Sequence, residues 1–170
     1  TSKGNTDSRA EVISAILSRT PQAAAIKNGY GSLPLHVIAQ RNTTIDAQTK
    51  ERLIFELVHA YTGALTEEGG VGKRTPLHII FTGTFHRGAS SKPYFEVSRK
   101  SHLYFSYTDY ISPRLTKMMI DHGANACFMK DKKGFLPAHV ACSRHCSPEK
   151  LRMLLAVNPG ALYDKTNKGE

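Results

Sequence analysis

No run of apolar residues in this 170-residue sequence approaches the roughly 18 that a membrane-crossing helix requires. The longest, such as Leu77 to Phe81, is broken by His78 and has the length of a core segment. A membrane span is therefore not expected. Cysteine is scarce: Cys127, Cys142 and Cys146 are too few to close a disulfide framework. That points to a reducing, intracellular compartment without separating cytoplasm, nucleus or organelle. The chain begins Thr1-Ser2-Lys3-Gly4-Asn5, polar and without an initiator Met, so no signal peptide is expected in it and a fragment or a processed chain is. Acidic residues are in deficit, 14 against 23 Lys and Arg, for a formal net charge of +9. Nucleic acid, an anionic membrane or an acidic protein would each suit that charge, which alone does not separate them. Also missing is any Ser/His/Asp or paired-carboxylate arrangement whose spacing supports chemistry. No catalytic residue, metal or cofactor is assigned, and the chain is expected not to be an enzyme.

What is present is a repeat, revealed by laying the chain against itself. Gly31-Ser32-Leu33-Pro34-Leu35-His36-Val37-Ile38-Ala39, Lys73-Arg74-Thr75-Pro76-Leu77-His78-Ile79-Ile80 and Gly134-Phe135-Leu136-Pro137-Ala138-His139-Val140-Ala141 follow one template. A second template follows it. Leu17-Ser18-Arg19-Thr20-Pro21-Gln22-Ala23-Ala24 matches Leu155-Ala156-Val157-Asn158-Pro159-Gly160-Ala161-Leu162, with looser copies at Leu57 to Leu65 and Ile120 to Ala126. Proline suits the first position of a helix and holds the residue before it extended. The apolar residues after each proline, Leu35, Ile38 and Ala39 or Leu77, Ile80 and Phe81, fall on one helical face. Ser112-Pro113 and Ser147-Pro148-Glu149 carry N-cap chemistry for a second helix. Apolar residues then recur at helical spacing: Leu53, Phe55, Leu57 and Val58; Leu115, Met118 and Met119; Leu151, Leu154 and Leu155. Gly63, Gly123 and Gly160 stand where such a helix must stop.

These residues resemble the ankyrin repeat family, whose unit of about 33 residues carries T-P-L-H at the start of its first helix. The stretch Asp121-His122-Gly123-Ala124-Asn125, followed by Lys130 to Gly134, is similar to the family's end-of-repeat turn. The resemblance implies an all-α solenoid of stacked helix-turn-helix units with hairpin-like turns. It also implies that Pro34, His36, Pro76, His78, Pro137 and His139 are architecture, the histidines tying neighbouring hairpins by hydrogen bonds. The sequence departs from the motif at Leu33, Leu136 and Ala138, and Lys73 stands where Gly is expected, with Gly72 one residue early. The hairpin before Thr75 is therefore expected to be irregular. As a single domain the chain divides into a partial first repeat (8–26), a repeat (27–66), a repeat over 70–127 and a repeat over 131–163. Residues 167–170 begin a further turn, and with no polar cap at that end more repeats or a covering partner are expected.

Proline spacings of 42 (Pro34 to Pro76) and 61 (Pro76 to Pro137) exceed the repeat by about 9 and about 28 residues. The smaller excess fits an extended loop near Gln40 to Ala47. The larger is an insertion over 82–110, between the helices of the middle repeat. Counting Phe81, that region carries eight of the fourteen aromatics, with Arg87, Lys92, Arg99 and Lys100 interleaved. Long loops in compact domains are usually functional or disordered, and Tyr with Arg is favoured at binding hot spots. The alternative is that Tyr104 to Tyr110 only extends the second helix and packs on the stack.

Two constellations imitate chemistry. His139, Cys142, His145 and Cys146 have metal-like spacing, but His139 is the motif histidine and Cys142 follows Ala141 on what is expected to be the buried helix face. Gly69-Gly70-Val71-Gly72-Lys73-Arg74-Thr75 fails as a phosphate loop, because Glu67 falls at the first Gly position and Arg74 where Ser or Thr must hold Mg²⁺. The basic residues Lys73, Arg74, Lys130, Lys132 and Lys133 fall at hairpin tips, either as solvated decoration or to steer an acidic protein segment. Nucleic acid is disfavoured, since neither a groove-reading helix nor a stacking platform is evident.

The function expected is non-catalytic protein–protein interaction, as scaffold, adaptor or subunit of a larger assembly. The alternative is a regulatory segment of a larger enzyme or nucleic-acid-binding protein whose activity lies outside this chain. Candidate contact residues are Tyr30, Arg74, Lys132 and Lys133 at the tips, Phe135 beside the third motif, and Tyr94, Phe95, Arg99 and Lys100 in the insertion.

Overall fold

The computed structural model describes residues 4–40, 45–82, 111–144, 146–167 and 169. Among them lie seven α-helices: α1 (Gly4–Arg19), α2 (Pro34–Ile38), α3 (Ala47–Ala60), α4 (Pro76–Thr82), α5 (Pro113–His122), α6 (Pro137–Ser143) and α7 (Pro148–Val157). Among the described residues there is no strand, only an isolated bridge between Gly69 and Arg74. The protein is mostly helical, in agreement with the all-α class.

Helices α2, α4 and α6 are short and each opens on proline. Their histidines replace the acidic residue of a capping box. His36 Nδ1 accepts the Leu33 N–H at 3.2 Å, His78 Nδ1 the Thr75 N–H at 3.3 Å, and His139 Nδ1 the Leu136 N–H at 3.2 Å. Thr75 adds its hydroxyl, donating to His78 Nδ1 at 2.8 Å, a bond that Leu33 and Leu136 cannot make. The longer helices α1, α3, α5 and α7 each run into a short 3-10 turn, at Pro21–Ala25, Thr62–Leu65, Ala124–Phe128 and Pro159–Leu162.

Packing joins these elements in two rows. Along one, α4 contacts both α2 and α6; along the other, α1 lies on α3 and α5 on α7, while α2 rests on α3 and α6 on α7. A carboxylate links α3 to α5: Glu51 accepts the Ser112 backbone N–H and, at 3.0 Å, the Ser112 hydroxyl. The shared core includes Leu35, Leu53, Leu57, Leu77, Ile80, Leu115, Met119 and Leu154. Each such side chain contributes roughly 1.5–3 kcal/mol by leaving water.

Three expectations from the sequence need correction or narrowing. Cys142 is exposed, because one residue beyond the buried Ala141 a helix turns by about 100° and carries the side chain off the core face. Ser147 sits at the N-cap of α7 but its hydroxyl caps nothing, and among the described residues it is buried without a hydrogen-bond partner. Thr82, assigned to the insertion, closes α4; residues 83–110, with Tyr94, Phe95, Arg99 and Lys100, lie outside the described residues, as do 41–44.

A candidate partner-binding edge

The links between units are tight turns, and two are built alike. Asn28 Oδ1 accepts the N–H groups of Tyr30 and Ser32, both at 3.0 Å, and Asp131 Oδ1 accepts those of Lys133 at 2.9 Å and Phe135 at 3.0 Å. Side chains of this type hold a turn by mimicking a backbone carbonyl. Gly134 follows Asp131 with φ +82°, and a Cβ there would lie 2.5 Å from Asn167. The intervening turn has no such side chain. There Gly69 and Arg74 exchange backbone bonds of 2.9 and 3.1 Å, and Lys73 is forced to φ +49°, the irregularity expected from a Lys in place of Gly.

Successive turns are tied to one another. Lys132 N–H donates to the Gly72 carbonyl at 2.9 Å, and Asn167 N–H to the Lys133 carbonyl at 3.2 Å. The motif histidines add further ties, each through Nε2–H: His36 to the Glu67 carbonyl at 2.9 Å, His78 to that of Phe135 at 2.9 Å, and His139 to that of Ala161 at 2.8 Å. Both nitrogens of each ring are thus committed. Burial lowers the pKa of His36 and pushes that of His78 down to about 4, which favours the neutral rings that these hydrogen bonds use.

Cations on this edge fall into two groups. Arg74 Nε donates to the Asp131 carboxylate at 3.3 Å, and Asp131 is buried, so Arg74 belongs to the turn-to-turn contact and is not a free tip. Lys27 pairs with Glu67 at 2.8 Å and Lys130 with Asp164 at 2.7 Å. Lys73, Lys132 and Lys133 are exposed and make no ion pair among the described residues. Tyr30 and Val71 are exposed on the first two turns. Phe135 is half-buried, with its ring edge-on to His139 at 6.4 Å, so most of it serves packing. Asn28 and Asp131 were missed from the sequence, although each stands three residues before the turn glycine (Gly31 and Gly134), a signal that laying the repeats together could have exposed.

Among the described residues no three His, Cys, Asp or Glu side chains converge as metal ligands. His145 lies outside those residues, and His139 has both nitrogens engaged. Cys127 is buried, which pushes its thiol pKa up to about 11, while Cys142 is exposed. No helix among the described residues is long and apolar enough to cross a membrane. Comparison of the chain with protein-family models, curated proteins and solved structures finds no match.

Proposed function

We propose that this chain is a non-catalytic protein-binding module of the ankyrin-solenoid type, acting as scaffold, adaptor or subunit, and that its turn edge receives an acidic segment of a partner protein. One observation carries the reading. Turns far apart in sequence are hydrogen-bonded into a continuous edge that presents Lys73, Lys132 and Lys133 to solvent while the neighbouring cations are spent internally. Unpaired surface cations of this kind steer encounter more than they add to final affinity. The motif histidines argue in the same direction for a non-catalytic role, because each is consumed as a cap on one nitrogen and a tie on the other.

Charge reversal tests it. The triple variant Lys73→Glu, Lys132→Glu, Lys133→Glu should fold and melt as the parent does, since all three side chains are exposed. Capture of acidic proteins from native extract at low salt should fall about tenfold. Equal capture by parent and variant would remove the turn edge from the binding surface.

A further inference from the structure

Each turn of the edge is closed by one backbone bond, and the closures set a common register. Gly31 N–H donates to the Asn28 carbonyl at 2.9 Å, Lys73 N–H to that of Gly70 at 3.2 Å, and Gly134 N–H to that of Asp131 at 2.8 Å. Gly169 closes on Thr166 in the same way, at 2.9 Å. The closing residue takes a positive φ in every copy, and in three of them it is glycine. Lys73, at φ +49°, is the exception, and its side chain brings a crowding that glycine would avoid. The opening residue is exceptional too. Asn28 and Asp131 hold their turns through side-chain oxygens, whereas Gly70 has none to offer. Between the two, Val71 is 76% exposed on a turn, where Gly, Pro, Asn, Asp and Ser predominate. A single apolar residue on a surface needs no explanation. Two departures from turn preference within one turn, Val71 and Lys73, do need one.

The neighbouring turn supplies a reason. In the common register Val71 is equivalent to Lys132, and Gly72 to Lys133. The Lys132 N–H donates to the Gly72 carbonyl at 2.9 Å, so Val71 and Lys73 stand one unit from Lys132 and Lys133 on turns bonded side by side. All four side chains are exposed, and the three lysines make no ion pair among the described residues. We propose that Val71 is an apolar anchor point beside these lysines. The edge then selects an extended acidic segment of a partner protein that carries one branched or aromatic side chain at a fixed distance from its carboxylates. Helices α4 and α6, which follow the two turns, pack on each other, and packed helices lie about 8–10 Å apart. An extended chain rises about 3.3 Å per residue, so the apolar side chain falls about three residues from the carboxylate over Lys132. The lysines set encounter and orientation, whereas the apolar contact decides which acidic segments stay bound. This inference rests on the turn edge being the binding surface.

The probe is a library of random dodecapeptides displayed on phage and selected against the folded chain at low salt. Enriched peptides are then synthesised with a fluorescent label and titrated by anisotropy. Acidic sequences are expected, with one branched or aromatic residue at a constant offset of about three from an Asp or Glu. Serine in place of that residue should weaken binding to the parent chain about tenfold. On Val71→Ser it should cause no further loss, because the two changes remove one contact. Val71→Ser should melt with the parent, since the side chain is exposed. Lys73→Gly should melt about 2–4 °C higher by relaxing the positive φ, yet bind about threefold more weakly at low salt. Acidic peptides with no constant apolar residue, or an apolar contribution that persists on Val71→Ser, would overturn the proposal and leave the turn edge standing. Peptides without acidic residues, or binding unchanged by Lys132→Glu with Lys133→Glu, would sink the turn-edge reading and this inference with it.

Discussion

His78 lies fully buried with Thr75 donating to Nδ1 and Nε2–H donating to the Phe135 carbonyl, an arrangement that requires the neutral ring. A proton on Nδ1 would point at the Thr75 N–H. The folded pKa near 4 lies below the unfolded value of roughly 6.5, so as pH falls the unfolded chain takes up the proton first. Stability is therefore complete above about pH 6.5 and is lost progressively as pH drops toward 4. From pH 7.5 to 5.0 this one ring should cost about 2 kcal/mol in urea unfolding. His36, also lowered by burial, adds a loss of the same sign. His78→Asn should be less stable at pH 7.5 yet lose less on acidification; parallel profiles for variant and parent would show that His78 does not govern the response. The position of this histidine was legible in the T-P-L-H pattern. Its carbonyl partner was not, because a backbone oxygen 57 residues away leaves no mark in side-chain identity.

Among the elements, α5 and α7 open on the same Ser-Pro dipeptide with similar backbone angles, yet their caps differ. Ser112 Oγ accepts the Leu115 N–H at 3.1 Å while donating to Glu51 of α3, so it caps one helix and fastens it to another. Ser147 Oγ makes no such bond and is buried. Ser112→Ala should lower stability by about 1–2 kcal/mol, since it removes the cap and deprives Glu51 of a donor. Ser147→Ala should be neutral or raise stability by up to about 1 kcal/mol, because a buried hydroxyl without a partner costs free energy. Thermal unfolding of the two variants decides it, and equal losses would show that both serines cap in solution. Local sequence could not distinguish them. The difference lies in the neighbouring helix: Glu51 reaches Ser112, and none of the described residues does the same for Ser147. By contrast the strained turn at Lys73 could be read in advance, because the need for glycine there is a backbone requirement.

For the whole molecule, helical periodicity revealed which residues face inward but not which copies have neighbours. Ile16 and Leu57 look alike in sequence; only the packing of α2 on α3, with no counterpart on α1 among the described residues, separates them. A stack in which each unit touches only adjacent ones should distribute its stability accordingly. Alanine at the interior register positions, Leu57, Met119 and Leu154, should each cost about 2–5 kcal/mol, the range for large-to-small changes in a packed core. Alanine at Ile16 should cost less than about 0.5 kcal/mol, because half of its surface already meets water and no cavity opens. Chemical denaturation of the four variants under one condition makes the comparison direct, since each residue stands four before the residue that precedes a 3-10 turn and the copies differ in burial. A loss at Ile16 as large as that at Leu57 would mean that α1 is covered in solution by something other than α3, and would break the nearest-neighbour picture at its first unit. The contrast between half-exposed Ile16 and its three buried counterparts thus tests how the chain holds together without reference to any partner.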